Sequence, residues 1–60
     1  MAQFEVYKDN YRLFRWQLRS DRNEIIAVSP EGYYNRSDCE NAVCLVRAAI
    51  CKAEIILNNT

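Results

Sequence analysis

Three short stretches of the chain alternate between apolar and polar residues, a pattern that predicts β-strands. The clearest strand is residues 14–19, where every second side chain is apolar. Its apolar face comprises Phe14, Trp16 and Leu18, and its polar face comprises Arg15, Gln17 and Arg19. Residues 4–8 and 24–29 are also rich in β-forming types, and turn signals at residues 9–10 and 20–23 separate the three stretches. Strands joined by such short turns predict an antiparallel meander.

The spacing of apolar residues changes to a helical period after the third strand, which predicts one helix over residues 38–57. Ser37 followed by Glu40 is the pattern of a capping box, in which each side chain binds the other residue's backbone N–H. One helix face carries an apolar stripe that should cover Phe14, Trp16 and Leu18: Cys39, Ala42, Val43, Val46, Ala49, Ile50, Ala53 and Leu57. The sequence therefore predicts a single α+β domain over residues 1–60, with the order β-β-β-α.

A second row of small and apolar residues lies on the opposite side of the predicted helix. It comprises Cys44, Ala48, Cys51 and Ile55, at the spacing of a helix–helix seam. In the simplest interpretation these residues are harmless on a solvated face. We favour a subunit interface for two reasons. A 60-residue domain buries little surface alone, and exposing the adjacent Ile55 and Ile56 together would be costly. One version is a dimer of antiparallel helices about a two-fold axis near Ala48, with Cys44 opposite Cys51 of the other copy.

Charge and cysteine content narrow the classes of function further. Eight basic residues balance eight acidic ones, which disfavours a nucleic-acid partner or a membrane surface, and no apolar run could span a bilayer. The chain has no histidine, and Cys39, Cys44 and Cys51 lack the spacing of a metal site, so we expect no metal and no cofactor. Three unpaired cysteines on one helix, without a signal peptide, favour the reducing cytoplasm.

The sequence gives little indication of a catalytic or ligand-binding site. Cys39 falls in the first turn of the predicted helix, but it lies on the core stripe without a histidine base, so a buried structural cysteine is the better interpretation. The polar face formed by Arg15, Gln17 and Arg19 could bind nucleic acid or a small ligand, although ordinary cross-strand pairs explain it as well. An enzyme whose site forms between subunits is a weaker alternative. Gly32 is expected to permit a positive φ angle.

Several motifs in order resemble the YegP family of small, mostly bacterial domains of unknown function. They are Phe4-Glu5-Val6-Tyr7-Lys8-Asp9, Phe14-Arg15-Trp16-Gln17-Leu18, Glu24-Ile25-Ile26-Ala27, Glu31-Gly32-Tyr33 and Cys39-Glu40-Asn41-Ala42-Val43. The resemblance implies three antiparallel strands packed by one helix, with tandem copies in some members and pairing of single-copy chains. It implies no catalytic residue. The hairpins lack the glycine that is frequent in the family, and we expect Asn10 and Asn23 to replace it.

Overall fold

The computed structural model describes residues 1–58 and places three strands before one helix. Strand β1 spans Gln3–Lys8, β2 spans Phe14–Arg19, β3 spans Ile25–Val28, and helix α1 spans Arg36–Ile50. The strands form one antiparallel sheet in the order β1-β2-β3. The predicted α+β class, strand order and β2 boundaries are confirmed, while β1 and β3 differ from prediction by one residue at their ends.

The core lies between α1 and the apolar face of β1 and β2. Trp16, at the middle of the central strand, is 5% exposed and packs edge-on against Phe4, with ring centroids 5.6 Å apart. Cys39 in the first turn of α1 is fully buried. The remaining predicted core positions of the first half of the helix are only half-buried: Ala42, Val43 and Val46. The buried centre of this domain is therefore very small.

The helix ends seven residues earlier than the apolar period predicts. Helix α1 stops at Ile50, and Cys51 caps it through its backbone N–H on the Ala49 carbonyl. A 15-residue helix is about 22 Å long, which already matches the length of a six-residue strand. Ala49 and Ile50, predicted core positions in the last turn, are already exposed, and β-branched Ile55 and Ile56 favour helical backbone only weakly. The predicted core positions Ala53 and Leu57 are consequently exposed and outside the helix.

The helix start also differs from the predicted capping box. Asn35 occupies the N-cap position without a side-chain capping bond, so Ser37 lies inside the first turn. Glu40 accepts a hydrogen bond from Arg36 Nε at 3.2 Å, one turn earlier on the helix surface. The reason lies just upstream, where Tyr33 exchanges two backbone hydrogen bonds with Phe14 and fixes where the chain leaves the sheet.

The β1–β2 loop is organised by the carboxylate of Asp9. Asp9 Oδ1 accepts the backbone N–H groups of Tyr11 at 2.8 Å and Leu13 at 3.0 Å, while Oδ2 accepts Arg15 Nε at 2.7 Å. These bonds, the Leu13 bond first, lower the pKa of Asp9 below its usual value. The residue with left-handed backbone in this loop is Arg12, with φ 64°, so the expectation for Asn10 is wrong. The tight loop that Asp9 closes places the left-handed position two residues later.

The other two expectations for turns have opposite outcomes. Asn23 in the β2–β3 hairpin has φ 65°, as predicted. Gly32 does not adopt a positive φ, so that interpretation is wrong. Its role is a close approach, because a Cβ atom at position 32 would lie 2.7 Å from Leu13 Cβ. Gly32 thus allows the β3–α1 connection to pack against the β1–β2 loop.

Replacing Arg12 by Asn should stabilise the fold. A left-handed backbone costs most L-residues roughly 1 kcal/mol, whereas asparagine adopts it readily. We expect Arg12→Asn to raise the free energy of unfolding by up to about 1 kcal/mol in urea denaturation. The matched control is Arg22→Asn, at an exposed turn position without positive φ, where the change should stay within about 0.5 kcal/mol. Equal effects of both substitutions would contradict this account of Arg12.

Acid should remove the stabilisation that the Asp9 charge provides. Because the folded-state pKa of Asp9 is lowered, this contribution is complete above the unfolded pKa of about 3.9 and disappears as pH falls through the folded-state value. Asp9→Asn keeps an acceptor for the loop amides but loses the charge. We expect the variant to be less stable than the natural chain at neutral pH, with a difference that shrinks below about pH 3. A difference independent of pH would show that the charge contributes nothing.

Candidate functional site

The predicted polar surface of the sheet exists, and it faces away from α1. Arg15, Gln17 and Arg19 alternate along β2 with the core residues, so their side chains share the uncovered face. The β1 register places Tyr7 opposite Arg15 and Glu5 opposite Gln17. The sequence therefore identified correctly which side chains come together on this surface.

These side chains are already paired with carboxylates of the same chain. Glu5 Oε1 accepts Gln17 Nε2 at 2.6 Å and Arg19 Nε at 2.8 Å, and these bonds lower the pKa of Glu5. Arg15 Nε likewise donates to Asp9 Oδ2, at 2.7 Å. A ligand anion would have to compete with these carboxylates, which disfavours a binding role. That role of the polar face stays a prediction.

The second row on the helix is shorter in the structure than in the prediction. Cys44 and Ala48 are exposed on α1, and Cys51 is exposed at its C-cap. Ile55 lies beyond the helix, so it does not extend the row. The interface role of these four residues stays a prediction, but a continuous four-residue seam on one helix is wrong because α1 ends at Ile50.

The most conspicuous exposed apolar surface is the segment that follows α1. In this C-terminal segment, residues 53–58, the side chain of Ile55 is 90% exposed, and Ile56 and Leu57 are more than two-thirds exposed. The segment has neither helix nor strand structure. Three consecutive large apolar residues in water are unfavourable, so this segment is a candidate for contact with another chain.

A further apolar surface lies on β3, and the sequence analysis did not predict it. Ile25, Ile26 and Val28 are each at least half exposed, and β3 is an edge strand whose outer side pairs with nothing among residues 1–58. Natural edge strands usually carry charges or proline that prevent pairing with other chains. The four residues of β3 include neither. The adjacent Ile25 and Ile26 could have indicated this surface, because neighbouring residues of a strand face opposite sides and only one of the two can face the core.

The described residues offer little for chemistry on a small molecule. Within residues 1–58 there is no pocket and no cluster of histidine, cysteine or acidic residues that could hold a metal ion. Burial raises the pKa of the Cys39 thiol, which disfavours the thiolate that a nucleophile requires. Among the same residues, no helix has the length and apolar character needed to cross a membrane.

Comparison with known proteins finds uncharacterised relatives in bacteria and archaea. A UPF0339 protein of Neisseria meningitidis serogroup B is 42% identical over 45 residues, which cover 75% of this chain and 79% of the relative. A UPF0339 protein of Methanosarcina acetivorans is 37% identical over 57 residues, covering 95% and 97%. An NMR solution structure of a protein from Haloferax volcanii matches with a TM-score of 0.83 and 32% identity, covering 95% of both chains.

The profile of the domain of unknown function DUF1508 matches residues 9–56, which include β2, β3 and all of α1. The relatives named above support the same assignment over most of the chain. The chain therefore belongs to the DUF1508 family, whose function is unknown.

Proposed function

We propose that this chain is a non-catalytic domain that associates with copies of itself, with a dimer as the favoured assembly. The observation that carries the proposal is the exposed apolar C-terminal segment, together with the apolar free edge of β3. Both surfaces are costly in an isolated chain, and both can be covered by one kind of contact. The absence of histidine from the sequence and the burial of Cys39 support a role without catalysis.

The accessible surface of the chain is large for its mass. It amounts to 5383 Å², whereas a compact monomer of 7.1 kDa should expose roughly 4,100 Å². A stable protein–protein interface buries about 800 Å² on each partner. The excess of about 1,300 Å² is therefore large enough to supply such an interface and still leave a normally exposed domain.

The C-terminal segment and the β3 edge have complementary properties. The sequence of the segment, Ala-Glu-Ile-Ile-Leu-Asn, includes two β-branched residues, which favour extended backbone in a sheet. The β3 edge offers unpaired backbone groups flanked by Ile26 and Val28. We therefore infer that the segment of one copy adds to the sheet of the other along β3, a recurrent mode of recognition between chains.

The hydrogen-bond alternation of the sheet identifies the amides that such a strand would use. Ser29 N–H donates to the Trp16 carbonyl at 2.8 Å, so the neighbouring Val28 N–H points to the open edge. The register shift opposite Leu18 and Arg19 interrupts the alternation at Ile26. Beyond it, Ser20 N–H donates to the Glu24 carbonyl at 2.8 Å, so the neighbouring Ile25 N–H also points to the open edge. On the opposite edge of the sheet the corresponding outward amide is that of Val6. That edge is flanked by the charged Glu5 and Lys8, which makes it a poorer partner for an apolar segment.

The exposed helix row is proposed as a second part of the same interface. Cys44, Ala48 and Cys51 have small side chains, which allow a second helix to approach closely. A two-fold axis near Ala48 would place Cys44 opposite Cys51 of the other copy. The exposed free thiols of Cys44 and Cys51 fit a reducing compartment such as the cytoplasm.

Association should depend on Ile55. Burying an isoleucine contributes about 1.5–3 kcal/mol, so Ile55→Asp should weaken the assembly at least about tenfold. Size-exclusion chromatography with light scattering, over a range of concentrations, should show a dimer for the natural chain and a folded monomer for the variant. A monomeric natural chain at high concentration would overturn the proposal.

The matched control for Ile55 is Tyr11→Asp, which adds the same charge at an equally exposed position. Tyr11 lies in the β1–β2 loop, at the end of the sheet where Phe14 pairs with Tyr33 before α1 begins. This variant should remain dimeric. A monomeric Tyr11→Asp would mean that added charge, and not loss of the segment contact, disrupts association.

Amide hydrogen exchange should locate the edge that receives the segment. In the dimer, the amides of Ile25 and Val28 should exchange more slowly than in Ile55→Asp, because a new strand occupies their open side. The Val6 amide should exchange equally in both. Protection of Val6 instead would assign the contact to β1. Slow exchange of Ile25 and Val28 that is independent of concentration would mean that the segment folds onto its own chain.

Mild oxidation should test the proposed helix pairing. If Cys44 faces Cys51 of the second copy, diamide should cross-link the dimer through these two thiols, since seven residues separate them within one chain. Cys44→Ser and Cys51→Ser should each abolish the covalent dimer on non-reducing electrophoresis while leaving the dimer in solution intact. A dimer in solution that does not cross-link would exclude the helix pairing and leave the strand contact unaffected.

A further inference from the structure

We draw no further inference here: the strongest candidate, the exposed Tyr11 and Tyr34 at the loop end of the sheet, carries nothing because nothing in the structure shows what covers it.

Discussion

Burial of Trp16 is the interaction on which the rest of this small structure depends. The indole lies at the centre of the middle strand, between Phe4 on β1 and α1, and no other large side chain of residues 1–58 is buried as completely. Its N–H has no acceptor among the described residues, an arrangement that costs about 1–3 kcal/mol.

The two faces of the sheet are stabilised by different forces. The inner face relies on apolar burial, while the outer face is crossed by ion pairs that link Glu5 to Arg19 and Asp9 to Arg15. Because these pairs are partly exposed, each contributes little on its own. Their structural effect is to hold β1 against β2 and to shape the loop between them. The outer face is therefore held together by contacts within the chain, whereas the β3 edge and the C-terminal segment are left exposed.

The sequence predicted the strands, the core face and the polar face, because alternation along β2 is unambiguous and short turns allow only one pairing order. The prediction from sequence was wrong at both ends of the helix, where the same local pattern is compatible with two different structures. Ser37 and Glu40 satisfy the spacing of a capping box, but the pairing of Tyr33 with Phe14 starts the helix earlier. The apolar period continues to Leu57, yet a helix needs a surface to pack on, and the predicted core positions are already exposed from Ala49 onward.

Only part of the candidate interface could be predicted from the sequence. Ile55 was correctly singled out as an apolar residue that the domain does not cover, although it was assigned to a helix. The β3 edge was missed because Ile25 and Ile26 compete for the inner face, and a register shift between Leu18 and Arg19 decides their positions. Such a shift depends on the neighbouring strand and has no signature within β3 itself.

The sequential strand order has a consequence for how the chain reaches its folded state. Each strand pairs with the next one along the chain, so only short loops must close before the sheet forms, and chains with such local topology fold quickly. Docking of α1 then completes the monomer. Pairing between copies would follow as a separate bimolecular step, so folding of this domain should show a fast phase and a slower phase whose rate rises with protein concentration.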